Sequence, residues 1–145
     1  MVFRLLTSRE VSYTSARAKE IAILKGWGTA CTLATILAHA LDEVGRFESE
    51  NGPVDWAEIY ARDPHEHYGV PDSLDCGIRF ATSLSCSEQF AARIDRFTEE
   101  LARYPFVAVH KVYRNLSVRL LYRFLIDWDA ADVPVIGPKG GESDD

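Results

Sequence analysis

The sequence predicts one α+β domain in which a small, mainly antiparallel sheet is covered by about four helices. Three observations favour this fold class. A length of 145 residues suits a single domain with a single core. Apolar residues recur at helical spacing in the first half of the chain and again after residue 88, whereas residues 77–84 and 106–127 have the alternation and composition of strands. We expect the domain to span residues 1–136, followed by a mobile acidic tail at 137–145.

The chain opens with a short apolar segment at residues 2–7 whose β-branched start favours a strand. A helix is expected next, at about residues 15–25, because good helix formers precede Gly26. Its N-cap candidates are Ser12, Thr14 and Ser15.

A longer helix is expected to begin with Thr29 as its cap and to end at Asn51, before a glycine. Apolar residues recur along it at helical spacing. Its first half is apolar or small on every side, so it should be enclosed, either within the monomer or against a second copy. A short helix capped by Asp55 should follow and end before Pro64.

The segment 63–76 is rich in Pro and Gly and is predicted to be an irregular surface loop. Residues 77–84 alternate like a half-buried strand, although a helix is also possible there. Ser85 and Glu88 match a capping box, which predicts a helix that continues to about Arg103.

The last apolar segment, residues 106–127, consists of two β-branched and aromatic runs separated by the sequence RNLS. This composition is typical of a β-hairpin. Arg119 and Arg123 would then lie on one face together with leucines, which suggests that another element or a partner covers that face.

The charge of the chain limits the classes of partner. A net charge of −6 and a pI near 5.2 disfavour nucleic acid as a partner and favour a basic protein surface. The longest uncharged run is shorter than the roughly 20 apolar residues of a membrane-spanning helix, so no membrane association is expected. An odd number of cysteines and the lack of a signal-peptide pattern predict a cytoplasmic protein.

A metal site is considered at residues 63–76 because His65 and His67 are separated by a single residue. In an extended segment both imidazoles would point the same way, and Asp63, Asp72, Asp75 or Cys76 could complete the ligand set. This spacing is much less specific than paired C-x-x-C units, so the favoured interpretation is a solvated loop without a metal or cofactor.

Residues 15–50 resemble a helix-turn-helix, with a short helix, a glycine turn at Gly26 and a longer second helix. The resemblance implies a transcriptional regulator. However, the second helix offers threonines and His39 where base-reading and phosphate-binding side chains would be needed, so two ordinary packed helices are preferred.

No nucleophile elbow or phosphate-binding glycine loop is present in the sequence, so no catalytic residues are assigned and an enzyme is not favoured. The leading hypothesis is a non-enzymatic acidic protein-binding module of the inhibitor, immunity or adaptor type, and a homodimer is considered as its oligomeric state. Its alternatives are the helix-turn-helix regulator and a metal-dependent enzyme built on His65 and His67. The predicted partner-binding residues are Trp56, Asp63, Glu66, Asp72, Asp75, Asp127, Trp128 and Asp129.

Overall fold

The computed structural model describes residues 2–28, 32–74, 76, 79–104 and 113–136. Within these ranges the chain forms six helices and a two-stranded antiparallel sheet, so the predicted α+β class is confirmed. The elements in chain order are β1 (Val2–Ser8), α1 (Arg9–Leu24), α2 (Leu33–Asn51), α3 (Trp56–Ala61), α4 (Pro64–His67), β2 (Arg79–Ser85), α5 (Glu88–Ala102) and α6 (Arg114–Asp129). The predicted tail at 137–145 lies outside the described residues.

The strands β1 and β2 pair along their whole length as an antiparallel ribbon. Opposed side chains in such a ribbon point to the same face. Leu5 and Leu84 point toward the core and are 8% and 7% exposed, while the opposite face is largely open. The strands predicted at 2–7 and 77–84 are therefore confirmed, except that residues 77–78 are not among those described.

Helix α1 begins at Arg9, directly after β1, and the predicted start near Ser15 is wrong. Serine and threonine hydroxyls in its first turns suggest caps in the sequence, but they donate to carbonyl groups of the preceding turn. The hydroxyl of Ser15, for example, lies 3.0 Å from the carbonyl oxygen of Ser12. Glu10 is 3% exposed, so this extra turn is anchored in the interior.

Helix α2 is capped by Thr32, whose hydroxyl accepts a hydrogen bond from the main-chain N–H of Thr35 at 3.2 Å. The predicted cap, Thr29, lies outside the described residues. Ile36 and Leu37 are both 0% exposed, and α2 packs against α6. The interior face of the first half of α2 is thus enclosed within the monomer.

The caps of the shorter helices were predicted in part. Asp55 caps α3 as predicted, since its carboxylate accepts the N–H of Glu58 at 3.1 Å. The cap of α5 is Ser87, which accepts the N–H of Phe90 at 3.1 Å. The predicted cap, Ser85, is wrong because that residue still belongs to β2.

The predicted hairpin at 106–127 is wrong over its second part, because residues 114–129 form helix α6. Residues 106–112 are not among those described. Every residue from 117 to 127 except Arg119 is buried. A helix that is enclosed on nearly all sides carries no polar stripe, so its sequence shows no 3.6-residue period. Its β-branched and aromatic composition alone then predicts a strand.

Helix α6 lies at the centre of the molecule and packs against α1, α2, α3 and α5. Trp56 of α3 is 2% exposed and meets Phe97 edge to face, with ring centroids 5.2 Å apart. Its ring also lies 6.0 Å from that of Phe124 on α6. Among the residues that the structure describes, no helix has both the length and the apolar character needed to cross a membrane.

Candidate functional site

Helix α4 is a single turn that begins directly after Asp63. The Oδ1 atom of Asp63 accepts the main-chain N–H groups of His65 (2.8 Å) and Glu66 (3.2 Å). These hydrogen bonds stabilise the carboxylate and lower the pKa of Asp63. The loop predicted over 63–76 is therefore wrong for this turn. Pro64 starts the helix, since a first-turn residue needs no main-chain N–H.

The imidazole of His65 is engaged on its own side of α4. Its Nδ1 donates to the carbonyl oxygen of Val70 at 3.0 Å and lies 3.7 Å from a carboxylate oxygen of Asp72. Its Nε2 lies 3.9 Å from the Sγ of Cys76. The hydrogen bond to Val70, aided by nearby carboxylates, raises the pKa of His65.

The side chain of His67 points elsewhere, because residues two apart in a helix are separated by about 200° around its axis. This helical turn separates the imidazoles of His65 and His67, and Asp63 is occupied as the cap. The sequence hypothesis of one metal ion held by these three residues is therefore wrong for this arrangement. It assumed an extended segment.

His67 instead contacts one carboxylate near the C-terminal end of α6 and one from the turn that follows this helix. Its Nε2 lies 2.9 Å from Oδ1 of Asp127 and 3.5 Å from Oδ2 of Asp132. One nitrogen and two carboxylate oxygens lie within 4.8 Å of one another. The side chain of Asp127 is 2% exposed, whereas those of His67 and Asp132 are 29% and 56% exposed, so the cluster opens to solvent on one side.

The second oxygen of Asp127 is held by two further donors. Tyr68 donates its phenolic O–H to Oδ2 at 2.8 Å, and a guanidinium nitrogen of Arg62 lies 3.0 Å from the same atom. Burial raises the pKa of Asp127, while hydrogen bonds from Tyr68 and His67 and the charge of Arg62 oppose this effect. Burial also raises the pKa of Tyr68, which keeps its proton available for donation.

The turn after α6 brings Asp132 back toward Asp127. The N–H of Asp132 donates to the carbonyl of Asp127 at 2.8 Å, and the N–H of Ala131 donates to that of Trp128 at 3.2 Å. This pair of bonds is a Schellman motif. It requires a left-handed residue after the helix, and Ala131 adopts that conformation with φ of 57°.

One turn before Asp127 on the same helix, Arg123 forms a second buried ion pair. Its Nε lies 2.8 Å from a carboxylate oxygen of Glu10, and both side chains are less than 5% exposed. Its Nη1 also donates to the carbonyl oxygens of Ile59 (2.8 Å) and Arg62 (2.9 Å) at the end of α3. Arg123 thereby ties α1 and α3 to α6 directly beneath the His67 cluster.

Exposed carboxylates surround α4, and we refer to them together as the α4 acidic surface. Its members are Glu58, Asp63, Glu66, Asp72 and Asp132. Glu58 and Asp132 both approach Arg62, and Asp72 approaches His65, so these groups occupy neighbouring positions. The guanidinium groups of this region are sequestered: Arg62 is 11% exposed beside Asp127, and Arg123 is paired with Glu10.

Several predicted partner-binding residues do not lie on the surface. Trp56 and Asp127 are 2% and 1% exposed, so neither can contact a partner in this conformation, and these two assignments are corrected. Trp56 is an apolar core residue, and Asp127 is covered by its hydrogen-bond donors. Asp75 is outside the described part of the chain.

Trp128 and Asp129 lie at the end of α6. The Trp128 ring is half-buried and stacks on Trp27, with centroids 5.8 Å apart. The ammonium group of Lys25 lies 5.1 Å from the centroid of the Trp128 ring and 3.7 Å from a carboxylate oxygen of Asp129. Lys25 therefore partly covers the Trp128 ring and partly neutralises the charge of Asp129.

Comparison with known proteins adds no assignment: no family model matches the chain, and searches of curated proteins and of solved structures find no match.

The sequence pattern failed to identify four members of the polar network: Glu10, Arg62, Tyr68 and Asp132. The sequence gives a partial indication of two other members of the network. Arg123 and Asp127 are charged residues four positions apart within an otherwise apolar run. Charged side chains are rarely buried unless they are paired. Had the run been recognised as a helix, this spacing would have indicated a buried polar ridge on one face.

Proposed function

We propose that the protein is a non-enzymatic, acidic protein-binding module whose α4 acidic surface contacts a basic surface of a partner protein. The observation that carries this proposal is the combination of exposed carboxylates around α4 with guanidinium groups that are largely covered and already paired. Fixed exposed charge of one sign attracts a partner of opposite sign and accelerates its association. An inhibitor, immunity protein or adaptor would use such a surface.

Charge reversal provides a direct test. The double variant Glu66→Lys/Asp72→Lys changes two exposed positions of the α4 acidic surface. The control, Glu20→Lys/Glu99→Lys, makes the same change in net charge at exposed positions of α1 and α5. Binding of a nine-residue lysine peptide is measured by fluorescence anisotropy at low and high salt. We expect the first variant to weaken binding roughly fivefold relative to the control, and added salt to weaken binding of the unchanged protein.

Equal losses in the two double variants would show that the peptide senses only net charge, and the proposed surface would be rejected. Binding that does not respond to salt would reject the electrostatic basis of the proposal. Mapping of amide shifts by NMR gives an independent readout, because contact at this surface should perturb the amides of α4 and its neighbours first.

A second candidate function is binding of a divalent metal ion by His67, Asp127 and Asp132. The convergence of one imidazole nitrogen and two carboxylate oxygens supports it, and such a mixed set suits zinc or manganese. Tyr68 and Arg62 hold the other oxygen of Asp127, which would orient the ligating one. The positive charge of Arg62 opposes a cation, so the expected affinity is modest.

Calorimetric titration of the purified protein with Zn²⁺ and with Mn²⁺ tests this candidate. The variants are His67→Ala and Asp132→Asn, and His65→Ala is the matched control two residues away. Heat of binding that disappears in the first two variants and persists in the control would support the site. A titration without heat, or loss in all three variants, would eliminate it.

The helix-turn-helix alternative over residues 15–50 has weaker support. Helices α1 and α2 are separated by residues 25–32, which is longer than the short turn of that motif. The interior face of α2 is packed within the monomer, and its exposed residues include Asp42 and Glu50. We expect no retention of the protein on duplex DNA at roughly 50 mM salt. The possible homodimer stays a prediction, for which sedimentation velocity is the test.

A further inference from the structure

A cavity of about 610 Å³ lies between the β-ribbon and the start of α6. This volume falls within the usual range of sites for small organic ligands. Its lining residues are Arg4, Leu5, Ala81, Thr98, Tyr113, Arg114 and Asn115. The cavity is distinct from the α4 acidic surface: it lies at the N-terminal end of α6, and the 16 residues of that helix place the two ends roughly 24 Å apart.

The wall of the cavity is basic, although the chain as a whole is acidic. No Asp or Glu is among the described residues that line it. Arg114 donates Nε and Nη2 to the two carboxylate oxygens of Asp95, at 2.7 and 2.9 Å. This pairing lowers the pKa of Asp95 and balances the charge of Arg114.

Arg4 provides the charge that is not balanced. It is exposed and forms no ion pair with any residue that the structure describes. The N-terminal end of α6, which opens into the same cavity, adds partial positive charge from its aligned peptide dipoles. The local field therefore favours a ligand that carries a single negative charge.

The remaining lining favours a flat apolar body. Tyr113 is more than half exposed, at 57%, and Leu5 and Ala81 contribute aliphatic surface. An aromatic ring is able to stack on tyrosine while a guanidinium group pairs with an acidic substituent. We propose that this cavity binds a small aromatic monoanion, a carboxylate or a sulfonate, through Arg4 and Tyr113. The site is independent of the protein-binding function proposed above.

The full chain can be tested with 8-anilinonaphthalene-1-sulfonate, an aromatic monoanion whose fluorescence rises in an apolar site. N-phenyl-1-naphthylamine has the same rings without the sulfonate and serves as the neutral matched probe. We expect saturable binding of one sulfonate per chain. The neutral probe should bind roughly tenfold more weakly, as expected for the loss of one charge-assisted contact.

Two variants locate the site. Arg4→Gln should weaken binding of the sulfonate roughly tenfold and leave the neutral probe unaffected. The control Arg9→Gln removes the same charge from an exposed position of α1 and should change neither. Ala81→Leu fills the cavity and should weaken both probes. Circular dichroism verifies that each variant is folded.

Three results would overturn the inference. One is binding without saturation, which indicates general adsorption to apolar surface. Another is equal affinity for the two probes, which excludes recognition of the charge. The third is an equal effect of Arg4→Gln and Arg9→Gln, which would assign the attraction to net charge rather than to the cavity.

Discussion

Replacement of Arg123 by Met is expected to lower the free energy of unfolding by about 3–5 kcal/mol, the range found when one partner of a buried ion pair is removed. Arg123 is 2% exposed, and its Nε lies 2.8 Å from the carboxylate of Glu10, which is 3% exposed. Methionine fills much of the same volume, so the cavity contribution is small. The loss arises instead from a carboxylate left buried without a counter-charge.

The hydrogen bonds of Arg123 add to this loss. Its Nη1 donates to the carbonyl oxygens of Ile59 and Arg62 at 2.8 and 2.9 Å, and each buried carbonyl without a donor costs about 1–3 kcal/mol. Relaxation of α3 and entry of water recover part of this cost, so the individual contributions do not sum. A domain of this size has a total stability of roughly 5–15 kcal/mol, and the variant is therefore close to unfolding.

Urea denaturation followed by circular dichroism measures the effect, and a surface ion pair of similar geometry provides the control. Arg93 and Asp42 are 2.7 Å apart but 37% and 46% exposed, so Asp42→Asn should cost less than about 1 kcal/mol. The double variant Glu10→Leu/Arg123→Met should recover part of the loss, because it removes both charges. A loss below about 1 kcal/mol for Arg123→Met would refute burial of this pair.

Three further predictions concern the network around α4 and the end of α6. Ala131→Gly should stabilise the protein by about 0.5–1 kcal/mol in urea denaturation, because glycine relieves the left-handed strain at φ of 57°. The added freedom of the unfolded chain offsets part of this gain. A loss of stability would contradict the Schellman geometry. Tyr68→Phe should cost about 1–3 kcal/mol, since a hydrogen bond to buried Asp127 is lost, and an unchanged urea midpoint would argue against that bond. The pKa of Asp63 is lowered in the folded state, so the stabilisation of α4 by its cap is complete above the unfolded pKa of about 3.9. This stabilisation is lost as the pH falls through the lower folded pKa. Amide shifts of α4 that titrate at or above about pH 3.9 would contradict this direction.

The elements that were predicted correctly are those with one solvent-exposed face. Helix α5 alternates buried Ile94 and Phe97 with exposed Arg96, and its helical period is visible in the sequence. The ribbon was also predicted, because Leu84 alternates with exposed serines. Helix α6 was not, since burial on nearly all sides removes the polar stripe by which a helix is recognised.

The candidate site was predictable only in part, for a similar reason. The composition of the segment that contains His67 indicated a candidate site. However, the partner of His67, Asp127, is 60 residues away in the sequence, and their contact depends on α6 being a helix. The approach of Asp132 depends on a left-handed Ala131, a conformation that alanine rarely adopts. Local pattern carries no information about either contact.

Arg123 and Asp127 are four residues apart on α6, so the polar network that holds the helices together also supports the α4 acidic surface. A substitution at Asp127 would disturb Tyr68, Arg62 and the stability of the fold together, and a lost activity in that variant would say little about binding. Exposed Glu66 and Asp72 are different, because the loss of their charge leaves the interior intact. Binding that changes at these exposed positions without a change in the free energy of unfolding would therefore assign the contact to the surface rather than to the network beneath it.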